Sequence, residues 1–313
     1  MQSFVSSLLL PFLCITGALA APAAAPVEIE RRAISGDVLA KLSMFEQWAA
    51  ASYCPNNNNS PNSKVICEAG NCPTVQAADT KTVIEFQNSF ATDVTGFVAV
   101  DKTNKLVVVS FRGSQSLKNW LANLNFPATL TDICPGCTAH TGFWSSWFES
   151  RKRVLAAVES AADANPGFQL VVTGHSLGGA IANFAAAQLR NDGYKCDLYT
   201  YGAPRIGNAA ISDYISNQPG GTYRVTHTND PVPHLAPIAF GFVHISPEYY
   251  ISSGNNVPVT ANDVAVYEGN INFRGNTGKL FLDTDAHGWY FNKVGDCGPD
   301  FEISKRELEL AYV

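Results

Sequence analysis

The stretch Leu170-Val171-Val172-Thr173-Gly174-His175-Ser176-Leu177-Gly178-Gly179-Ala180 decides how this chain folds. Four apolar or β-branched residues make a short buried strand, and the Ala-rich run from Ala180 to Arg190 makes a helix. Residues 168–189 carry no charge and are long enough to suggest a membrane span. His175, Ser176 and three glycines interrupt them, so the segment reads as strand, tight turn and helix in a soluble core. Glycines at 174 and 178 remove the side chains that would clash where a strand turns abruptly into a helix. Ser176 is left exposed at the apex, its Oγ near the positive end of the helix. A G-x-S-x-G between strand and helix is a nucleophile elbow.

Outward from the elbow the pattern alternates. Asp197 to Tyr201, Asn208 to Gln218 and Tyr223 to His227 continue as strand, helix and strand. Upstream, Phe143, Trp147, Val154, Leu155 and Val158 predict a long helix. Gly96 to Val100 and Leu106 to Phe111 flank Lys102-Thr103-Asn104-Lys105 as a hairpin. Val38, Leu42, Phe45, Trp48 and Ala49 recur at helical spacing. The expected fold is α/β: one domain with a central, mostly parallel sheet, helices on both faces, and an antiparallel early hairpin.

Composition fits a globular chain of 313 residues, 46% hydrophobic and 15% charged. The net charge of −6, with no Lys/Arg cluster, excludes a nucleic-acid partner held through phosphates. Residues 4–27 are uncharged, and the apolar run Leu8 to Ile15 precedes Ala18-Leu19-Ala20. Residues 1–20 therefore read as a secretory signal, 21–32 as a propeptide ending at Arg31-Arg32, and Ala33 as the start of the mature chain. Removal of Cys14 leaves seven cysteines, which in an oxidising compartment implies disulfides and one free thiol. Cys196 has no cysteine nearby and is expected to be that thiol, whereas Cys67/Cys72 and Cys134/Cys137 are close enough to form small loops. A redox or zinc reading of Cys134-Pro135-Gly136-Cys137 lacks a second C-x-x-C, so no metal and no cofactor are expected. Asn58-Asn59-Ser60 is a glycosylation sequon in a polar loop expected to be exposed.

An elbow serine needs a base and an acid downstream. Asp230, in Thr226-His227-Thr228-Asn229-Asp230-Pro231, follows a strand at the sheet's carboxyl edge and fits better than Asp197, Asp213, Asp283 or Asp285. Among His227, His234, His244 and His287, only His287 leaves room after Asp230. For the oxyanion, Leu177 N–H supplies one donor, and Ser114 in Phe111-Arg112-Gly113-Ser114 is the candidate for the other. Leu117, Trp120, Leu121 and Leu124 form an i, i+3, i+4, i+7 stripe directly afterwards. Such a stripe is either a core-facing helix or a lid over the site.

Assembled, these residues resemble the fungal class 3 lipase family of the Rhizomucor and Thermomyces type. The blocks are Ala50-Ala51-Ser52-Tyr53-Cys54, Ser110 to Ser114, Thr173 to Gly179, Tyr201-Gly202-Ala203-Pro204-Arg205, Thr226 to Asp230, and Ala286-His287-Gly288-Trp289-Tyr290. The resemblance spans about Phe45 to Cys297 and implies an α/β-hydrolase fold with a short helical lid. It implies a secreted, monomeric serine ester hydrolase without a stable membrane span. Such an enzyme meets acylglycerols at a lipid–water interface, opens its lid there, and cleaves them through an acyl-enzyme. By resemblance Ser176, Asp230 and His287 are the triad, Ser114 and Leu177 the oxyanion hole, and Ser116 to Leu124 the lid. The implied disulfides are Cys54 with Cys297, Cys67 with Cys72, and Cys134 with Cys137. The tail Gly298 to Val313 departs from the family pattern and contains Lys305-Arg306, a trimming signal. The rival activity is that of a feruloyl esterase of the same fold, with phospholipase action as a side activity. A lipid-binding protein that had lost catalysis would lack the nucleophile or the histidine, and both are present.

Overall fold

The strand before Ser176 becomes the centre of an eight-stranded sheet in the computed structural model, which describes residues 33–87, 92–114 and 125–298. The sheet order is β1 (Thr80–Phe86), β2 (Gly96–Asp101), β3 (Leu106–Phe111), β6 (Gln169–His175), β7 (Cys196–Tyr201), β8 (Thr222–His227), β9 (Glu248–Ile251) and β10 (Val264–Tyr267). From β3 to β9 neighbouring strands run parallel, while β1, β2 and β10 are antiparallel to their neighbours. The hairpin β2–β3 turns through residues 102–105, with Lys105 at positive φ. A separate two-stranded ribbon joins β4 (Ala128–Leu130) and β5 (Thr138–His140).

Side-chain alternation sorts the central strands into two layers. Val107, Val109, Phe111, Leu170, Val172 and Leu198 face the helices Thr141–Ala164 and Leu177–Asn191, meeting Phe143, Trp147 and Phe184. Val108, Val171, Tyr199 and Tyr201 face helix Gly36–Ala51 and its Leu42, Phe45 and Trp48. Burial on both faces explains why these strands read as continuous apolar runs. Three strand hydroxyls then fix the N-terminal helix by bonding its carbonyls: Ser110 to Trp48 at 2.8 Å, Thr173 to Phe45 at 3.1 Å, and Tyr201 to Leu42 at 2.6 Å.

Two sequence expectations about the elements and loops shift. The helix after the elbow begins at Leu177 rather than Ala180. Gly178 and Gly179 are poor helix formers, but side chains there would strike Phe111 and Ala203, so packing overrides propensity. Asn58 is not exposed: only 3% of its surface is accessible. The neighbouring Asn57 donates to Ala51 O and Ile66 O, both at 2.8 Å, and folds the loop inward against the helix end.

Disulfides join Cys54 to Cys297, Cys67 to Cys72 and Cys134 to Cys137. Cys196 is a buried free thiol, and burial pushes its pKa up to about 12, so it is inert as a nucleophile. Among the described residues no helix is long and apolar enough to cross a membrane.

Candidate active site

Ser176 occupies φ 57°, ψ −129°, a conformation that L-residues adopt only under constraint. The constraint is close backbone contact. A Cβ on Gly174 would collide with the backbone of Gly178, and one on Gly178 with the carbonyl oxygen of Phe111. The spacing of the motif is thus the footprint of strand β6 and its helix pressed against β3. Ser176 N–H is held by Tyr201 O at 2.9 Å. The sequence expectation of an exposed apex is corrected here: Ser176 is 1% accessible because the loop at Gly113 closes on it, and its Oγ is buried with no hydrogen-bond partner among the described residues. Leu177 N–H belongs to the first helical turn, whose donors have no intrahelical acceptor.

Asp230 comes from the loop after β8 and His287 from the one-turn helix Asp285–Gly288, and both are fully buried. His287 Nδ1 faces both carboxylate oxygens of Asp230, at 3.0 and 2.9 Å. Tyr290 O–H donates to Asp230 Oδ2 at 2.6 Å, and Val232 N–H to Oδ1 at 2.9 Å. Asn276 Nδ2 fixes the Asp230 carbonyl at 2.9 Å. Gly202, at φ +56°, leaves the space in which these groups meet. A Cβ there would lie 2.6 Å from Tyr290 Oη, 2.8 Å from Asp230 Oδ2 and 3.0 Å from His287 Cε1. With Nδ1 committed to Asp230, Nε2 is the nitrogen that can serve Ser176.

The elbow and the base also touch directly. The His175 ring packs at a tilt of 36° against His287, 4.4 Å between ring centroids, and its Nε2 lies 2.9 Å from His287 O. On its other side His175 Nδ1 meets Tyr53 Oη at 2.7 Å, and that hydroxyl also accepts from Gly113 N–H. Burial, followed by the charge on His287, holds the His175 pKa well below the usual histidine range. A neutral ring with its proton on Nε2 therefore donates to His287 O and accepts from Tyr53. The other three candidate histidines face backbone carbonyls. His227 lies against Ala286 and Ser253, His234 against Asn276, and His244 against Pro233. Burial and the adjacent arginines hold His244 well below its ordinary pKa and His234 below it.

Ser114 follows Gly113 at the end of β3, and a Cβ on Gly113 would approach Ser176 Cβ to 2.9 Å, so this loop borders the nucleophile. Leu117, Trp120, Leu121 and Leu124 lie outside the described residues, as do residues 1–32 and the tail from 299. Tyr290, Asn276, Gly202 and the Tyr53–His175 pair had no assigned role in the sequence. Their positions follow from contacts across tens to hundreds of residues.

Comparison with known proteins matches residues 108–240 to the family described as Lipase (class 3), and residues 13–83 to the Lipase 3 N-terminal region. The chain is 44% identical over 276 residues to secreted mono- and diacylglycerol lipase A of Penicillium cyclopium, covering 87% of this chain and 90% of that one. The chain belongs to the class 3 lipase family. Secreted mono- and diacylglycerol lipase 1 of Fusarium solani is 41% identical over 307 residues, 95% of this chain and 92% of the relative. The crystal structure of mono- and diacylglycerol lipase from Aspergillus oryzae superimposes with a TM-score of 0.80 at 44% identity, covering 83% of this chain and 98% of that one. As a class 3 lipase, the protein is a serine-type carboxylic ester hydrolase with an α/β-hydrolase fold and a Ser-His-Asp triad network.

Proposed function

We propose that this secreted class 3 lipase hydrolyses acylglycerols at a lipid–water interface, mono- and diacylglycerols ahead of triacylglycerols. The relatives at 41–44% identity carry mono- and diacylglycerol lipase names, which supports the preference. One observation carries the triad assignment: the Asp230–His287 pair, braced by Tyr290, packs against the residue preceding a strained elbow serine.

In this reading His287 Nε2 takes the proton of Ser176 as Oγ attacks the ester carbonyl. Asp230 orients the ring and stabilises the imidazolium. The oxyanion is held by Leu177 N–H and by Ser114. His287 returns the proton to the departing glyceride alcohol, leaving an acyl group on Ser176. Water, deprotonated by His287, then releases the fatty acid and restores the serine. The stripe Leu117, Trp120, Leu121 and Leu124 is assigned as the lid. Residues 1–20 are assigned as signal, 21–32 as propeptide, 33–297 as the mature domain, and 298–313 as an extension open to trimming.

The experiment is a panel of emulsified mono-, di- and triacylglycerol, phosphatidylcholine and methyl ferulate under one set of conditions. Partial glycerides should turn over at least tenfold faster than triacylglycerol. Faster cleavage of triacylglycerol refutes the preference, and faster cleavage of methyl ferulate refutes the substrate class.

A further inference from the structure

Behind the oxyanion loop lies a cavity of about 140 Å³ lined by Tyr53, Asn58, Gln87, Arg112, Cys297 and other residues. Two of its walls carry buried polar atoms, Arg112 Nε and Asn58 Oδ1, without a hydrogen-bond partner among the described residues. Arg112 is 95% buried by its accessible surface of 5%, yet its Nε makes no hydrogen bond. Among the described residues no hydrogen bond or ion pair engages its guanidinium. Asp93 and the Tyr53 hydroxyl act on it electrostatically, without ion-pair contact. Asn58, accessible over 3% of its surface, has a buried Oδ1 with no partner among the described residues.

A buried guanidinium presents five donors and is costly to desolvate unless oxygen acceptors meet it. Unmet groups of this kind in a folded protein call for a specific explanation. Packing does not supply one, because the space beside the group is open. A single water needs roughly 10–15 Å³ of such volume, so this cavity accommodates several waters or a small polyatomic ion. Planar or tetrahedral oxyanions match the fork of an arginine, which bonds two oxygens in parallel. The Asn58 amide offers a donor and an acceptor, and exchanging its O and N positions turns the donor toward an anion.

From these residues we infer that the cavity is a binding site for a small oxyanion, a carboxylate or an inorganic phosphate or sulfate, held by Arg112 and Asn58. Its location ties it to catalysis. Arg112 directly precedes Gly113, whose N–H is held by Tyr53 Oη, and Tyr53 itself lines the cavity. An anion there bears on the backbone that carries Ser114 and on the Tyr53–His175 contact without occupying the ester site. This inference stands apart from the acylglycerol reading, since binding is measured without substrate.

The test titrates acetate, butyrate and phosphate separately into the purified protein, replacing chloride at constant ionic strength, with calorimetry and thermal unfolding as readouts. At least one anion should bind saturably at one site and, at a hundredfold excess over its Kd, raise Tm by roughly 5 °C or more. A response to acetate and butyrate marks a carboxylate site, and a response to phosphate alone marks a tetrahedral-anion site. Arg112→Gln should abolish the response. Asn58→Asp, which places a carboxylate of the chain's own in the cavity, should remove it while leaving the fold intact. If Arg112→Gln is not secreted, Asn58→Asp decides: an unchanged response overturns the inference. Absence of saturable binding by all three anions, or equal binding in folded Arg112→Gln, overturns it as well.

Discussion

The two halves of the site are held by different physics. Ser176 stands where two parallel strands and a helix press together, and its position follows from backbone contact among Gly174, Gly178 and Phe111. Asp230 and His287 stand on loops and one-turn helices after β8, and their positions follow from buried polar bonds. Glu248 shows this most clearly. Its carboxylate accepts from Thr226 Oγ1 at 2.6 Å, Asn272 Nδ2 at 2.8 Å and Asn276 N–H at 3.2 Å, with Arg224 Nη2 at 3.5 Å. Burial alone would raise its pKa, but Arg224 and these donors outweigh burial and hold it below the usual range. Asn276 carries the constraint onward to the Asp230 carbonyl. Close packing suffices to place a nucleophile on regular elements, whereas an acid and base on loops need their own internal network.

The largest separation between the halves lies in chemistry. Asp230→Asn should keep the fold, because Tyr290, Val232 and Asn276 still hold the residue, while His287 loses the carboxylate that orients it. A kcat loss of about 10⁴ is expected from the equivalent change in a serine triad. A loss under tenfold on a dissolved ester would remove Asp230 from the triad.

A matched pair of substitutions tests whether the loop half couples stability to catalysis. Glu248→Gln breaks a buried ion pair and should cost about 3–5 kcal/mol. Leu198→Ala, in the core beside the elbow strand, should cost a comparable ~2–5 kcal/mol. Urea unfolding checks the first expectation and kcat below the transition the second. Only Glu248→Gln should lower kcat, through the Asn276 link to Asp230. Equal kcat values in both variants would break the contrast.

Much of this was legible in sequence because each strong signal was local. The elbow, the β2–β3 hairpin, the first helix, the β7 and β8 strands and the candidate triad all sit in short blocks whose residues are adjacent in the chain. The edge strands β1 and β10, and β9 beside β10, are short or mix polar with apolar residues, and pairing rather than pattern defines them. The braces of the acid and base stayed hidden for a related reason. Asn276 meets Asp230 across 46 residues and Tyr53 meets His175 across 122, so no spacing in the chain announces either pair. The burial of Asn58 is similar, since the inward turn depends on Asn57 finding carbonyls at Ala51 and Ile66.

The smallest expected effect concerns pH, and both halves contribute. His175 in the elbow and His244 among the loops are buried and held neutral, by burial first and then by nearby positive charge. In the unfolded chain each takes a proton below about pH 6.5. Their contribution is therefore complete above that pH and is lost as pH falls toward their depressed folded values. The slope is up to about 1.4 kcal/mol per pH unit for each histidine. His244→Gln should remove one histidine's share of the slope between pH 6 and 5 in urea-unfolding measurements. An unchanged slope would mean that His244 is not held neutral in the fold.

The most direct measurement of the central claim is covalent labelling of the whole secreted protein by an alkyl phosphonate ester with a nitrophenolate leaving group. Ser176 Oγ should displace one nitrophenolate per chain, forming a phosphonyl adduct that mass spectrometry locates on the peptide containing Ser176. Labelling should be absent in Ser176→Ala and slowed by orders of magnitude when Asp230 or His287 is replaced. An adduct on any other residue, or ester hydrolysis by Ser176→Ala within tenfold of the parent, would contradict the assignment of Ser176, His287 and Asp230.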